Sequence, residues 1–371
     1  MEYRTLGKTG YSVSRLGFGS MRLPEVSIGE KTYLDLDRAV EVLHAAFRLG
    51  VNYVDCGFIY GNEQAEIAVG RALRTWPERE RIVVTDKATK FRMSKPGDLR
   101  RMLEHQLQRL ERDWLHFYLF HGIGWDNYHE IDQRTGWIAD MERALAEGLV
   151  KHTGFSFHDE PQRMIDLINL GWAELVLCQY NYLDRRNEEA IAYAASRGVA
   201  VTVMGPVGGG RLAVTPKGVE GLPGLADVRA AELALRFVAA NPAVDVALSG
   251  MGSLAMVEQN VAALEKGPLN AEERAALTAL MDRYSELARL YCTGCQYCLP
   301  CPNGVDIPRC FELYNYLTVY GLESYARDGY RGLVAAGKDA AQCQECQVCL
   351  DRCPQHIPIP DQLKEVAQRL Q

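Results

Sequence analysis

Eight of the chain's eleven cysteines fall in two short runs, Cys292-x2-Cys295-x2-Cys298-x2-Cys301-Pro302 and Cys343-x2-Cys346-x2-Cys349-x3-Cys353-Pro354. Two-residue gaps let successive thiolates turn toward one centre, and a Cys-Pro step turns the chain away and sends the last thiolate elsewhere. Such a donor set suits a soft metal. A second group of reactive types is scattered along the chain as Asp55, Tyr60, Lys87 and His121. A phenol that titrates at about 10 is a poor acid at neutral pH, but a nearby ammonium stabilises its phenolate and lowers that value. Lys87 can supply the ammonium, Asp55 can hold it in place, and His121 can hydrogen-bond and orient an oxygen that gains negative charge. The four together suit proton transfer to a carbonyl oxygen.

The second run matches the bacterial ferredoxin spacing residue for residue, and the first is one residue shorter before its last cysteine. In two-cluster ferredoxins the fourth thiolate serves the other cluster. The resemblance therefore implies one [4Fe–4S] cluster on Cys292, Cys295, Cys298 and Cys353 and a second on Cys343, Cys346, Cys349 and Cys301. The 41 residues between Cys301 and Cys343 exceed what a compact β-ferredoxin uses, and residues 311–320 have helical character, so a helix-bridged module is expected. Paired structural zinc sites are the alternative, since Cys-x-x-Cys also suits tetrahedral zinc. Third cysteines at the same spacing and two Cys-Pro endings favour iron–sulfur. Cys56, Cys178 and Cys310 lie outside the pattern, and Cys178, on an expected strand, reads as a small buried hydrophobe.

The elements that must position these groups can be read from hydrophobic period. Short branched apolar segments at 15–18, 53–55, 82–85, 117–120, 152–154, 175–178, 200–204 and 247–249 alternate with stretches of helical period. Val40, Leu43 and Phe47 share one helical face, as do Leu99, Leu103, Leu107 and Leu110, while Gly50, Gly148, Gly171 and Gly198 stand where helices would end. Eight strands with helices between them predict an α/β fold, a (β/α)8 TIM barrel, whose chemistry belongs at the C-terminal strand ends. Asp55, Lys87 and His121 follow the second, third and fourth strands. Residues 3–13 read as a hairpin over the barrel bottom. The βα pattern stops near residue 285, so the barrel is placed at 1–285 and a small, mainly helical ferredoxin-like domain at 286–371.

Over residues 2–285 the sequence resembles the aldo-keto reductase superfamily. The matching stretches are Gly17-Phe18-Gly19, Asp55-Cys56-Gly57-Phe58-Ile59-Tyr60-Gly61, Thr85-Asp86-Lys87, Tyr118-Leu119-Phe120-His121, Gly154-Phe155-Ser156, Gln179-Tyr180-Asn181 and Gln259-Asn260. With the cysteine module, the whole chain looks like the iron–sulfur-bearing branch of that superfamily. The resemblance implies Asp55, Tyr60, Lys87 and His121 as a catalytic tetrad with Tyr60 as general acid/base; Lys90 competes for the lysine role, but Lys87 lies directly at the strand end. It also implies a nicotinamide dinucleotide across the barrel mouth, NADP or NAD. Ser156 and Gln179 match the carboxamide contacts, Gly208, Gly209, Gly210 and Arg211 offer a glycine-rich backbone near the pyrophosphate, Ser253, Gln259 and Asn260 match the adenosine end, and Gly19 lies at the first strand end. Phe157, Met204 and Met256 depart from the family's asparagine, stacking ring and polar phosphate contact. The loop 122–128 is expected to wall the substrate pocket with aromatics.

Nicotinamide moves two electrons at once and clusters exchange them singly, so a flavin or a substrate reacting one electron at a time is needed if the two parts cooperate. The expected function is an oxidoreductase that reduces or forms a carbonyl of a small aldehyde, ketone or alcohol. An electron-transfer oxidoreductase serving a ferredoxin-like partner and a non-enzymatic redox or nucleotide sensor stay open beside it. A net charge of -7 argues against nucleic acid as a partner. The absence of a signal-like start and of any run of about 18 apolar residues argues against a membrane partner and for a cytoplasmic location.

Overall fold

The computed structural model describes the chain except residues 30, 214, 284–291 and 320–322 and a few side chains, Arg211 among them. It divides into two compact units. The first comprises Met1–Tyr180, Arg186–Pro206 and Val238–Pro268, and the second Asn181–Arg185, Val207–Phe237 and Leu269–Gln371. The boundary expected at 285/286 lies outside the described residues.

The chain opens with the antiparallel hairpin β1 (Tyr3–Thr5) and β2 (Ser12–Ser14), followed by β3 (Leu16–Gly19), a second hairpin of β4 (Glu25–Ile28) and β5 (Lys31–Leu34), and α1 (Leu36–Arg48). Next come β6 (Tyr53–Asp55), α2 (Ala65–Thr75), β7 (Val83–Thr89), α3 (Asp98–Leu110), β8 (Leu115–Ile123), α4 (Trp125–Thr135), α5 (Trp137–Ala146) and β9 (Val150–Phe157). The rest of the βα series is α6 (Pro161–Asn169), β10 (Leu175–Gln179), α7 (Glu188–Ser196), β11 (Ala200–Met204), α8 (Ala230–Ala239), β12 (Val246–Ser249) and α9 (Leu254–Glu265). After α10 (Ala271–Asp282), the cysteine module is built on α11 (Ile307–Thr318), α12 (Glu323–Ala335) and α13 (Ile359–Leu370).

All eight expected strands form, and they close into one parallel barrel in the order β3-β6-β7-β8-β9-β10-β11-β12. Its interior is filled by inward residues of several strands, Tyr53, Val83, Phe117, Leu119, Leu175 and Val246 among them. Leu6 and Val13 of the N-terminal hairpin join the same buried cluster, which places that hairpin at the barrel end, as its pattern suggests. Period-two alternation within a strand decides which side chains enter the barrel. Thr85 on β7 hydrogen-bonds the inward Tyr53 hydroxyl at 2.7 Å, Lys87 shares its face, and Asp86 is left to face the surrounding helices. The β4/β5 hairpin was not expected: its four-residue segments are short, and the face that carries Val26, Ile28 and Tyr33 stays exposed.

The cysteine module has its own core, in which Ile307, Phe311 and Tyr314 of α11 pack with Tyr330 of α12 and Leu363 and Val366 of α13. Asp306 caps α11 by accepting from the Arg309 N–H at 3.2 Å, and Pro308 lies in its first turn, where a missing N–H costs nothing. Gly329 lets α12 lie against α11, since a Cβ there would come within 2.5 Å of Leu313 Cδ2. Among the described residues, no helix is long and apolar enough to cross a membrane.

Candidate active site and metal-cluster sites

Parallel register sets the barrel site. Asp55 ends β6 and pairs with Thr85 of β7 on one side and Gly19 of β3 on the other, while Thr89 of β7 pairs with His121 of β8. Three neighbouring strands thus deliver a carboxylate, an ammonium and an imidazole to one barrel end. Lys87 Nζ donates to Asp55 Oδ1 at 2.5 Å and also to the Cys56 carbonyl oxygen. Tyr60 sits in the turn after β6, where its N–H donates to the Gly57 carbonyl at 2.9 Å. Its ring folds back over Gly57 so closely that a Cβ there would lie 2.9 Å from Tyr60 Cζ. That fold places the ring centroid 4.9 Å from Lys87 Nζ and, edge to face, 5.9 Å from the His121 ring.

The structure therefore brings Asp55, Tyr60, Lys87 and His121 together. Lys90, the competing lysine, instead donates to the Gly122 carbonyl at 2.7 Å. Asp55, Lys87 and His121 are buried, with Lys87 wholly enclosed. Burial raises the Asp55 carboxyl and the Lys87 ammonium works against that rise. Burial first, then the Lys87 and His158 charges, holds His121 well below its ordinary value, so it stays neutral and keeps an N–H to donate at neutral pH.

Sequence reasoning missed what lies behind the lysine. Asp86, fully buried, accepts the Lys87 backbone N–H at 2.8 Å, and the nearby Glu66 is also buried. Gln106 Nε2 donates to Glu66 Oε1 at 2.8 Å and to the Lys87 carbonyl at 3.1 Å, Tyr118 donates to Gln106 Oε1 at 2.6 Å, and Arg109 donates to Glu66 Oε2 at 2.9 Å. Burial, then Glu66, pushes Asp86 well above the carboxylate range. The available signal was the alternation itself, since an inward Lys87 forces a charged neighbour outward beneath α2 and α3.

Of the residues matched to a dinucleotide, Ser156 is buried and accepts the Gly122 N–H at 2.7 Å, which leaves its own O–H to donate. Gln179 ends β10, and a Cβ on Gly205 would come within 2.3 Å of its amide. Ser253 caps α9 by accepting from Met256 N–H at 3.3 Å, Asn260 donates to Ser249 Oγ at 3.0 Å, and Gln259 is exposed. A helix N-terminus and a hydroxyl donor fit a phosphate and a carboxamide. Gly208, Gly209 and Gly210 have φ of 56°, 67° and 97° and belong to the second compact unit, and the Arg211 side chain lies outside the described residues. The expected aromatic wall is not a loop: Trp125 onward is α4, and Tyr128 is buried, stacked on Trp172 at 5.4 Å and packed against Phe120 and Trp137. The run 122–128 therefore supplies core as well as rim, because a helix turns successive residues to different sides.

In the module, one cavity is lined by Cys292, Cys295, Cys298 and Cys353 and another by Cys301, Cys343, Cys346 and Cys349, with Ile307 lining both. The grouping crosses the two runs. Within each run the backbone repeats one device, a left-handed residue before and after the second cysteine: Gly294 and Gln296 at φ 68° and 66°, Glu345 and Gln347 at 54° and 62°. Alternating hands of this kind turn successive N–H groups toward a common concavity suited to an anionic centre such as a cluster with its thiolates. Burial and the neighbouring thiols Cys292 and Cys353 push Cys295 up to about 11, and burial with Cys343, Cys301 and Cys346 pushes Cys349 up to about 11. Thiols crowded this way resist ionising together unless cationic iron compensates their charge, so the donor set fits a cluster.

Comparison with known proteins agrees with this geometry. Residues 15–220 match the aldo/keto reductase family, and residues 291–357 match a 4Fe-4S dicluster domain. The chain is 28% identical over 321 residues to L-galactose dehydrogenase of Arabidopsis thaliana, covering 77% of this chain and 96% of that one. It is 26% identical over 232 residues to the NADH-specific methylglyoxal reductase of Escherichia coli, covering 57% and 68%. A solved aldo-keto reductase from Bacillus halodurans in its holo form superposes with a TM-score of 0.63 at 28% identity, covering 76% of this chain and 96% of that one.

Proposed function

Because the chain belongs to the aldo/keto reductase family and carries a 4Fe-4S dicluster domain, we propose that its barrel interconverts a carbonyl and an alcohol with a nicotinamide dinucleotide, Tyr60 passing the proton. The observation that supports this most is Lys87, buried, tethered to Asp55 and facing the Tyr60 ring at 4.9 Å. A bound nicotinamide supplies the hydride, two electrons at once. The Tyr60 hydroxyl donates its proton to the substrate oxygen as that oxygen gains charge, and the Lys87 ammonium stabilises the phenolate left behind. Asp55 keeps Lys87 in place. His121, neutral because it is buried, offers an N–H that orients the same oxygen. Ser156 and Gln179 are assigned to the carboxamide and the N-terminus of α9 to phosphate. The first turn of α9, Leu254-Ala255-Met256, has no basic side chain, so an unphosphorylated ribose is expected to bind at least as well as a 2′-phosphorylated one.

Each cysteine set is assigned one [4Fe–4S] cluster, which supplies single-electron exchange when bound. Electron transfer to an external carrier is the second reading of the whole chain, and the exposure of Cys346 favours it. The test is anaerobically reconstituted protein assayed with NADH and NADPH against a panel of aldehydes and ketones. Turnover that falls by about 10²–10⁴-fold in Tyr60→Phe, with nucleotide binding retained, is the expected result. Failure to bind or turn over either nucleotide overturns the reading, and a flavin band in the visible spectrum shifts weight to the second.

A further inference from the structure

The two cysteine sets differ in how much protein covers them. Cys292, Cys298 and Cys353 are 8%, 8% and 9% exposed and belong to the module's hydrophobic core, and Cys295 is half-buried. Phe311, Ile357 and Ile359 line the same cavity. In the other set Cys346 is exposed and Cys301, Cys343 and Cys349 are half-buried. Asn303, from the turn after Cys301, reaches across to Cys346 with Nδ2 3.7 Å from Sγ. A metal-bound thiolate can only accept, so the NH2 end of that amide must face it. The surrounding surface holds little net charge: Glu345 is paired with Lys364 at 2.8 Å, and Gln342, Gln344, Gln347 and Val348 are exposed.

We propose that the Cys301/Cys343/Cys346/Cys349 site is the module's electron-exchange port, open to a one-electron carrier, while the Cys292/Cys295/Cys298/Cys353 site is the more enclosed of the two. This rests on the reading that each set holds a [4Fe–4S] cluster. Electron transfer weakens steeply with distance, so a carrier exchanges with the site whose ligands reach the surface. In the exchange a reduced carrier of the ferredoxin class loses one electron and the cluster at the port gains one; no bond forms or breaks and no proton moves. Asn303 is a positioning residue for this port, because its N–H favours the more negative, reduced state of the cluster whose thiolate it touches.

The test uses the intact chain, reduced anaerobically, with iron analysis first. About eight iron atoms per chain is expected; about four or none overturns the cluster reading and this proposal with it. With the full complement present, an aqueous gadolinium chelate should broaden one of two cluster EPR signals and spare the other. Limited treatment with an iron chelator followed by iodoacetamide and peptide mass mapping then assigns the site. Alkylation of Cys301, Cys343, Cys346 and Cys349 should run at least about tenfold ahead of Cys292, Cys295, Cys298 and Cys353, in keeping with their exposure. Asn303→Ala should lower the midpoint potential of the broadened signal only, by up to about 59 mV, a tenfold change in the reduced-to-oxidised ratio. Equal broadening with equal alkylation, or faster alkylation of the Cys292 set, leaves the cluster reading intact and overturns the port.

Discussion

The barrel site and the cysteine module solve the same problem, holding reactive groups in fixed relation, by opposite means. In the barrel, Asp55, Lys87 and His121 come from three separate strands, and hydrogen-bonded register brings them together. In the module, three cysteines of each set lie within seven residues of chain, and only the fourth arrives from the other run. The barrel buries charge and must satisfy it: Lys87 is wholly enclosed, and its partners are a carboxylate and a carbonyl. The module buries thiols, which are inexpensive to enclose while neutral and need compensation only when ionised. The difference teaches where each region is vulnerable. Removing one barrel partner strands a buried charge, whereas disturbing the module acts mainly through packing and metal content.

The largest effect should follow from breaking the barrel pair. Lys87→Met leaves the Asp55 carboxylate buried without its cation, and Asp55 Oδ2 already has no hydrogen-bond partner among the described residues. A loss of about 3–5 kcal/mol of stability is expected at neutral pH, with much of it restored in Lys87→Met/Asp55→Leu, because the pair removed together strands nothing. Urea denaturation of the three proteins measures this, with the cluster EPR signals as a control that the module is unchanged. Equal stability of the single and double variants would break the claim that the barrel depends on paired charge.

How much of each region could be read beforehand follows from the same contrast. The eight strands and the convergence of Asp55, Lys87 and His121 were legible because parallel strands bury both faces and leave short apolar runs, several with a polar residue at or near the end. Lys87 was separable from Lys90 by that position alone. Three cysteines of each set could be read from spacing, because local chain geometry brings them together, whereas the crossing of the fourth was implied only by the resemblance to two-cluster ferredoxins. Asp86, Glu66 and Gln106 were not, since their relation depends on which helix faces lie over β7, and spacing carries no record of that. The β4/β5 hairpin has strands too short to stand out, and Tyr128 lies in the core because residues 125–128 open α4 rather than continue a loop.

A smaller effect is expected from packing in the module. Gly329→Val puts branched carbons where even a Cβ would lie 2.5 Å from Leu313 Cδ2, forcing α12 off α11. The cost should be about 1–3 kcal/mol. It should appear as a lower midpoint for loss of the cluster absorption, with little change in barrel far-ultraviolet ellipticity. If the barrel transition moves equally, the two regions do not unfold separately, and the comparison loses its energetic basis.

The smallest effect, and the one that tests the buried carboxyl pair, concerns Asp86→Asn. Asp86 is held well above the carboxylate range by burial and by Glu66, so the folded state keeps its proton at pH values where the unfolded chain has released it. Where the folded state binds more protons than the unfolded one, stability falls as pH rises. The wild-type contribution from this group is therefore greatest below about pH 4, the unfolded value, and declines through the native one. Asparagine keeps a carbonyl for the Lys87 N–H and has no proton to release, so it carries no such decline. Thermal unfolding followed from pH 4 to 9 should show Asp86→Asn gaining on the wild type with rising pH, by on the order of 1 kcal/mol at the alkaline end. Parallel profiles would mean that Asp86 is ionised in the native state, and that the polar layer behind Lys87 is held by charge, as the layer in front of it is.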